Sequence, residues 1–380
     1  MKKIQQISGW KDKILFTPGP LTTSQTVKQA MLRDLGSRDF EFIQIIKEIR
    51  QKLVGIGQVS TEEYTSIILQ GSGTYCLEAV ISSTVPPGGK LLVIINGAYG
   101  KRIAKIASML KIETVIVECP ENEKPNLKKI SAALDKNSKI TNVVVVHCET
   151  TTGIINPIKE IGSIVKAAGA KYFVDAMSSF GAVPINLDEC HIDYLVSSAN
   201  KCIEGVPGFS FALAKISSLN ETKGYARSLS FDLLDQYQGF EKNGQFRFTP
   251  PTHSLIAFRQ ALTELELEGG VSGRCARYQA NYEKLVAGMR EMGFKEYLNE
   301  KDQGYIITSF HFPEDPNFNF DEFYESLNNK DYVIYPGKVS NADCFRIGNI
   351  GRIFETDIRD LLAVIRETIT EMGVKEKRND

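Results

Sequence analysis

No run of apolar residues in this chain approaches the ~18 that a membrane-crossing helix needs, so no membrane partner is expected. Neither sign of charge is in excess: 45 lysines and arginines stand against 46 aspartates and glutamates. Without a basic excess there is little to hold a nucleic-acid backbone or an anionic lipid surface, and neither is expected as a partner. The seven cysteines (Cys76, Cys119, Cys148, Cys190, Cys202, Cys275 and Cys344) form no CxxC pair and no regular spacing. That argues against a disulfide framework and against a structural zinc site. The four histidines, His147, His191, His253 and His311, are scattered without an HExxH spacing, and no metal is expected. The opening MKKIQQISGWKDK has two lysines but no apolar stretch behind them. It does not read as a secretory signal, and the expectation is a cytoplasmic protein.

What is present is an ordinary globular composition, 42% apolar and 24% charged over 380 residues, enough chain for more than one domain. Short β-branched runs alternate with polar or Gly-rich turns and helical patterns. The runs are Ser66–Leu69, Leu91–Ile95, Thr114–Val117, Asn142–Val146, Tyr172–Val174 and Tyr194–Val196. Helical patterns cover Thr74–Thr84, Gly100–Leu110, Leu127–Leu134 and Ile158–Ala168. Fully apolar strands between helices predict an α/β fold, a mainly parallel sheet covered on both faces. Beyond about Ser254 two long helical patterns lead into short strands mixed with helices, which predicts a smaller C-terminal α+β domain. The expected division is an arm over 1–20, a large domain over 21–268 and a small domain over 269–380.

In an open α/β sheet, ligands bind beyond the carboxyl ends of the strands. The first run is followed by Gln70-Gly71-Ser72-Gly73-Thr74 and a helix, a combination that offers free N–H groups to a phosphate. A ligand-free tight turn would look the same, and neither GxGxxG nor GxxxxGK[ST] is present. The second delivers Tyr99 between glycines, able to stack on an aromatic cofactor or simply to pack. The fourth ends in Glu149 followed by Thr150, Thr151 and Thr152, of which helix capping would need only one. The fifth ends in Asp175, and beyond the sixth lies Lys201. An acid and a lysine at neighbouring strand ends can be a plain ion pair. They also suit pyridoxal phosphate, where the lysine forms a Schiff base with the aldehyde and the acid keeps the pyridine nitrogen protonated.

Taken together these segments resemble the class V aminotransferases of fold type I, the alanine–glyoxylate and serine–pyruvate group. Gly71-Ser72-Gly73-Thr74, Asn96-Gly97-x-Tyr99-Gly100, Glu149 to Gly153, Asp175-Ala176-Met177-Ser178-Ser179 and Ser198-Ala199-Asn200-Lys201 occur in the family's order and spacing. The stretches VDAMSSFGAVPIN, DYLVSSANKCIEGVPGF, LFTPGPLTTS and CFRIGNIG resemble most the branch that moves an amino group from 2-aminoethylphosphonate to pyruvate. The resemblance implies pyridoxal phosphate as cofactor, a homodimer and ping-pong kinetics. It implies Lys201 as the Schiff-base lysine and Asp175 as the partner of the pyridine nitrogen. Tyr99 and Met177 would cover the two faces of the ring, and Thr150 would lie near its phenolic oxygen. Ser72, Gly73 and Thr74, helped by Asn200, would hold the phosphate. Thr249 would reach the phosphate of the neighbouring subunit; where a relative has a tyrosine three residues earlier, this chain has Phe246. Arg346 would clamp the carboxylate of pyruvate or alanine, a planar group that a guanidinium matches with two parallel donors. Arg38 and Arg247 are further candidates for an anionic substrate group.

The nearest alternative is an alanine–glyoxylate or serine–pyruvate type aminotransferase with the same site. A cysteine desulfurase would need a mobile catalytic thiol, for which Cys344 is the only cysteine close to Arg346. A non-catalytic cofactor-binding protein is the third alternative.

Overall fold

The structure is a computed structural model that describes residues 12–375. Residues 1–11 of the expected arm lie outside the described residues. A large sheet is built from β1 (Tyr64–Gln70), β2 (Lys90–Ile95), β3 (Glu113–Glu118), β4 (Ile140–Val146), β5 (Lys171–Asp175), β6 (Tyr194–Ser198) and β7 (Phe209–Lys215). Their order across the sheet is β1-β7-β6-β5-β4-β2-β3. β7 runs antiparallel to both neighbours, and the other pairs are parallel. β4 is buried on both faces, as its NVVVV run requires: Val143, Val144 and Val145 are fully enclosed.

The runs read from the sequence all become strands of this sheet, but β7 is an addition. Its sequence, FSFALAK, dilutes the apolar signal with serine and alanine although every residue but the last is buried. Only the Ala199–Gly208 segment links it to β6, too short for the crossover that a parallel neighbour needs, so it returns antiparallel.

Helices α1 (Phe40–Ile56), α2 (Gly73–Thr84), α3 (Ala98–Met109), α4 (Leu127–Asp135) and α5 (Ile158–Ala167) cover the sheet. α5 shows why: Ile158, Ile161 and Val165 recur on one face and are buried, while its lysines and glutamate face outward. Asn126 caps α4 by accepting from the N–H groups of Lys128 and Lys129.

The chain then passes through α6 (Thr252–Leu267) and α7 (Gly270–Glu291), which break at Glu268–Gly269. The remaining elements form a second core around a three-stranded antiparallel sheet of β8 (Ile307–His311), β9 (Tyr335–Pro336) and β10 (Cys344–Gly348), with α8 (Phe320–Asn329) and α9 (Glu355–Glu371). Phe345 on β10 anchors this core, its ring 5.4 Å from that of Phe323 and 5.6 Å from that of Phe294. Alternation along the strand then turns its neighbour Arg346 to the opposite face, toward the large sheet. The described part of the N-terminal segment belongs to the same core. Ile14 and Leu15 pair in parallel with Tyr332 and Val333, and Phe16 is fully buried among the core residues.

Candidate active site

The carboxyl ends of β1, β2, β4, β5 and β6 converge beneath β10, and a candidate site residue follows or ends each of them. β1 hands over to α2 through Gly71 and Ser72. No side chain caps α2, so its first N–H groups remain available to an anion. A β-carbon on Gly73 would lie 1.9 Å from the sulfur of Met177, so only glycine lets the two meet. Met177 in turn donates its backbone N–H to Asp175 Oδ1 at 3.0 Å. Burial raises the Asp175 carboxyl from 3.8 to about 6, against the opposing effect of that N–H.

Tyr99 lies in the first turn of α3. The N–H groups of Tyr99 and Gly100 point at Glu149 Oε2 (3.2 and 3.3 Å), while Thr151 donates N–H and hydroxyl to Oε1 (3.1 and 2.6 Å). Glu149 is thus the anion at the N-terminus of α3, and it fixes where Tyr99 points. Burial raises its carboxyl pKa despite those donors. Two of the polar residues after β4 are spent on this cap, and Thr150 is left facing Tyr99.

Lys201 follows β6 and is half-buried, its ammonium group donating to the carbonyl oxygen of Pro18. Burial lowers its pKa below the ordinary lysine value. The turn beyond it is rigidly held. Glu204 N–H donates to Lys201 O at 2.7 Å, and its buried carboxylate receives Arg277 (2.7 Å), Arg274 (3.3 Å) and the hydroxyl of Tyr278 (2.6 Å). Arg277 also reaches the carbonyls of Gly351 and Ile353, just past β10. One buried ionic network therefore ties the Lys201 turn to the strand carrying Arg346.

Arg346 is buried, with Nη1 on Thr150 O at 2.8 Å and Nε on Pro336 O at 3.0 Å. Burial lowers its pKa although the Tyr99 hydroxyl works the other way. Two more cations converge on Tyr99: Arg102 Cζ lies 4.7 Å from the ring centroid and Lys338 Nζ 5.0 Å from it. Burial alone would raise the Tyr99 phenol, yet Thr150 and the cations Lys201, Lys338 and Arg346 bring it below its usual value.

Ser72, Gly73, Thr74, Tyr99, Thr150, Asp175, Met177, Lys201 and Arg346 thus share one site. Asn200 enters it through its backbone, its carbonyl oxygen lying against Gly19. Thr249 does not join the group within one chain. It is exposed in the wall of a 480 Å³ cavity that it shares with Gly71, Tyr75, Phe246 and Phe248. Arg38 is exposed outside the site, and Arg247 is occupied by Asp235 at 2.5 Å. Sequence reading overlooked Pro18 and Gly19, Arg102, Lys338 and the Glu204 network. Arg102 was findable, because it stands one helical turn beyond Tyr99.

The donor set fits pyridoxal phosphate: an uncapped helix N-terminus with two hydroxyls for the phosphate, an aromatic face and a thioether, a buried acid and a partly buried amine. Comparison with known proteins agrees. A family model described as aminotransferase class-V matches residues 22–339. The chain belongs to this family of pyridoxal-phosphate-dependent aminotransferases of fold type I. It is similar to the 2-aminoethylphosphonate–pyruvate transaminase of Vibrio cholerae serotype O1, 51% identical over 358 residues, 94% of this chain and 97% of the relative. The enzyme of that name from Bacteroides fragilis is 51% identical over 360 residues, 94% and 99% of the two chains. The structure of pyridoxamine–pyruvate aminotransferase from Mesorhizobium loti superposes with a TM-score of 0.88 over 97% of this chain and 95% of that one, at 24% identity, a likeness of fold.

Proposed function

We propose that this aminotransferase moves the amino group of 2-aminoethylphosphonate to pyruvate, giving phosphonoacetaldehyde and alanine. The observation that carries the reading is the convergence of the Lys201 amine and the Arg346 guanidinium on Tyr99, with the Asp175 carboxyl acting on the same Lys201. The similarity to transaminases of that name supports the choice of substrates.

Pyridoxal phosphate, when bound, supplies an aldehyde that takes up the amino group and a cationic ring that withdraws electrons from the substrate carbon. Ser72, Gly73 and Thr74 would hold its phosphate through N–H and hydroxyl donors, with Asn200 assisting. Asp175 would pair with the ring nitrogen, and that positive charge would restore the ionised form which burial disfavours. Tyr99 and Met177 would enclose the ring, with Thr150 near its phenolic oxygen. Lys201 would carry the covalent link to the cofactor at rest. Its lowered pKa leaves more of the neutral amine near neutral pH, the form that attacks a carbonyl. With the donor's amine in its place, Lys201 Nζ would serve as the general acid/base that takes the proton from the substrate carbon and delivers it to the cofactor. Arg346 holds the carboxylate of pyruvate and then of alanine.

We also propose that the chain works as a homodimer in the cytoplasm. Leu229, Phe248 and Tyr75 expose 75%, 45% and 53% of their surface near the Thr249 cavity, apolar area suited to a second copy. Seven free cysteines suit a reducing compartment.

The test is single-turnover spectroscopy of the cofactor-loaded enzyme with each amino donor alone. Loss of the lysine-bound cofactor's absorption with 2-aminoethylphosphonate, restored by pyruvate, is expected. Conversion by alanine or serine but not by the phosphonate would move the function to the carboxylate-donor aminotransferases.

A further inference from the structure

The two substrates proposed above differ in their anionic end. A carboxylate is planar with one negative charge. A phosphonate is tetrahedral, has three acceptor oxygens and carries up to two negative charges near neutral pH. Arg346 is suited to the first. Of its five N–H donors, two are committed to the carbonyls of Thr150 and Pro336, and the guanidinium also hydrogen-bonds the Tyr99 hydroxyl. A second cation is needed to match a phosphonate.

The opening above Tyr99 offers two. Arg102, Lys338 and Arg346 form no ion pair among the described residues, whereas Arg247, Arg274 and Arg277 are each matched to a carboxylate. Glu149, a nearby acid, has both oxygens filled by N–H and hydroxyl donors. Arg102 lies on the phosphate side, donating to Thr74 Oγ1 at 3.2 Å beside the start of α2. That position belongs with the cofactor's phosphate.

Lys338 lies on the other side, next to Arg346. The register that sets Tyr335 opposite Arg346 and Pro336 opposite Phe345 carries the following turn over the same opening. The Gly337 N–H bonds to Cys344 O at 2.9 Å and pins that turn to β10. From it the Lys338 side chain reaches Tyr99, Nζ standing 3.5 Å from the phenolic oxygen. The head group is otherwise solvent-exposed, with no carboxylate to satisfy it. An ammonium with three rotatable donors on a flexible stem can follow a tetrahedral oxyanion, which a planar guanidinium alone does less well.

We infer that Lys338 is the specificity residue for the amino donor: it binds the phosphonate of 2-aminoethylphosphonate, while Arg346 serves the carboxylate of the acceptor. The inference rests on the substrate assignment proposed above. It divides between two side chains what a single arginine would otherwise do in turn.

The experiment compares holoenzyme carrying Lys338→Met or Lys338→Arg with the unmodified chain. Apparent efficiency is measured for 2-aminoethylphosphonate and for alanine in separate half-reactions. Lys338→Met should lower the ratio of the two efficiencies tenfold or more, mainly through KM for the phosphonate. Lys338→Arg, which keeps the charge, should stay within about threefold of the unmodified ratio. An unchanged ratio in Lys338→Met, with both activities kept or both lost together, overturns the inference. If the unmodified enzyme turns over alanine but not the phosphonate, the substrate assignment fails, and the role of Lys338 fails with it. That outcome is read in the unmodified enzyme and cannot be confused with the first.

Discussion

The Lys201 ammonium group donates a hydrogen bond to the carbonyl oxygen of Pro18, so the reactive amine is fastened to a segment lying 183 residues earlier in the chain. The neighbouring Gly19 is pressed onto the same side chain, and a β-carbon there would lie 2.8 Å from Nζ and 2.7 Å from Cδ. Its φ of +107° is also one that residues with a side chain rarely adopt. Gly19→Ala is therefore expected to displace Lys201 and lower kcat at least tenfold with the fold kept. Circular dichroism and steady-state rates check this; a variant with normal kcat would show that the contact is dispensable.

Lys201→Ala should abolish turnover and the absorption of the lysine-bound cofactor. Because the side chain is not part of either hydrophobic core, the melting temperature of the cofactor-free protein should change little. Retained activity would remove Lys201 from its proposed role.

Asp175 sets a pH dependence in the cofactor-free protein. Its carboxyl rises from 3.8 to about 6 on burial, so between those values the folded chain keeps a proton that the unfolded chain has released. Stability therefore falls as pH rises through that window, by up to about 3 kcal/mol from this group. Asp175→Asn has no proton to lose. Urea denaturation at pH 4 and pH 6.5 should show the variant gaining on the unmodified protein at the higher pH, with most activity gone. A pH-independent difference in stability would contradict the assignment.

Arg346→Lys should raise KM for pyruvate roughly 10- to 100-fold, the loss expected when a charge-assisted paired contact worth about 1.5–3 kcal/mol is removed. An unchanged KM for pyruvate with a poorer amino donor would reverse its role.

Glu204→Gln leaves Arg274 and Arg277 buried with only Glu268 as a counter-charge. Removing one partner from such a network costs about 3 kcal/mol. Denaturant titration should show a lower midpoint at unchanged slope. Equal midpoints would mean that the network does not hold the Lys201 turn in place.

The parallel sheet and most of the site could be read from the sequence because strands such as NVVVV end abruptly at the residues that matter. Asp175 ends a buried strand and Lys201 stands just beyond the end of another, so a rule about strand ends finds them. β10 was harder. CFRIG is five residues long, and only its pairing with β8 and β9 makes it a strand, although it carries Arg346. Pro18, Gly19 and Lys338 gain their meaning from contacts with residues 182 to 239 positions away, which no local pattern records. Glu149 was visible as a polar residue at a strand end. That it caps the earlier helix α3, rather than the one that follows, depends on how α3 crosses the end of β4.

The most direct test of the account is the initial rate of alanine formation from 2-aminoethylphosphonate and pyruvate, with both concentrations varied. The account predicts parallel double-reciprocal lines and one phosphonoacetaldehyde for every alanine. No alanine from the phosphonate, in an enzyme that aminates glyoxylate from alanine or serine, would contradict it.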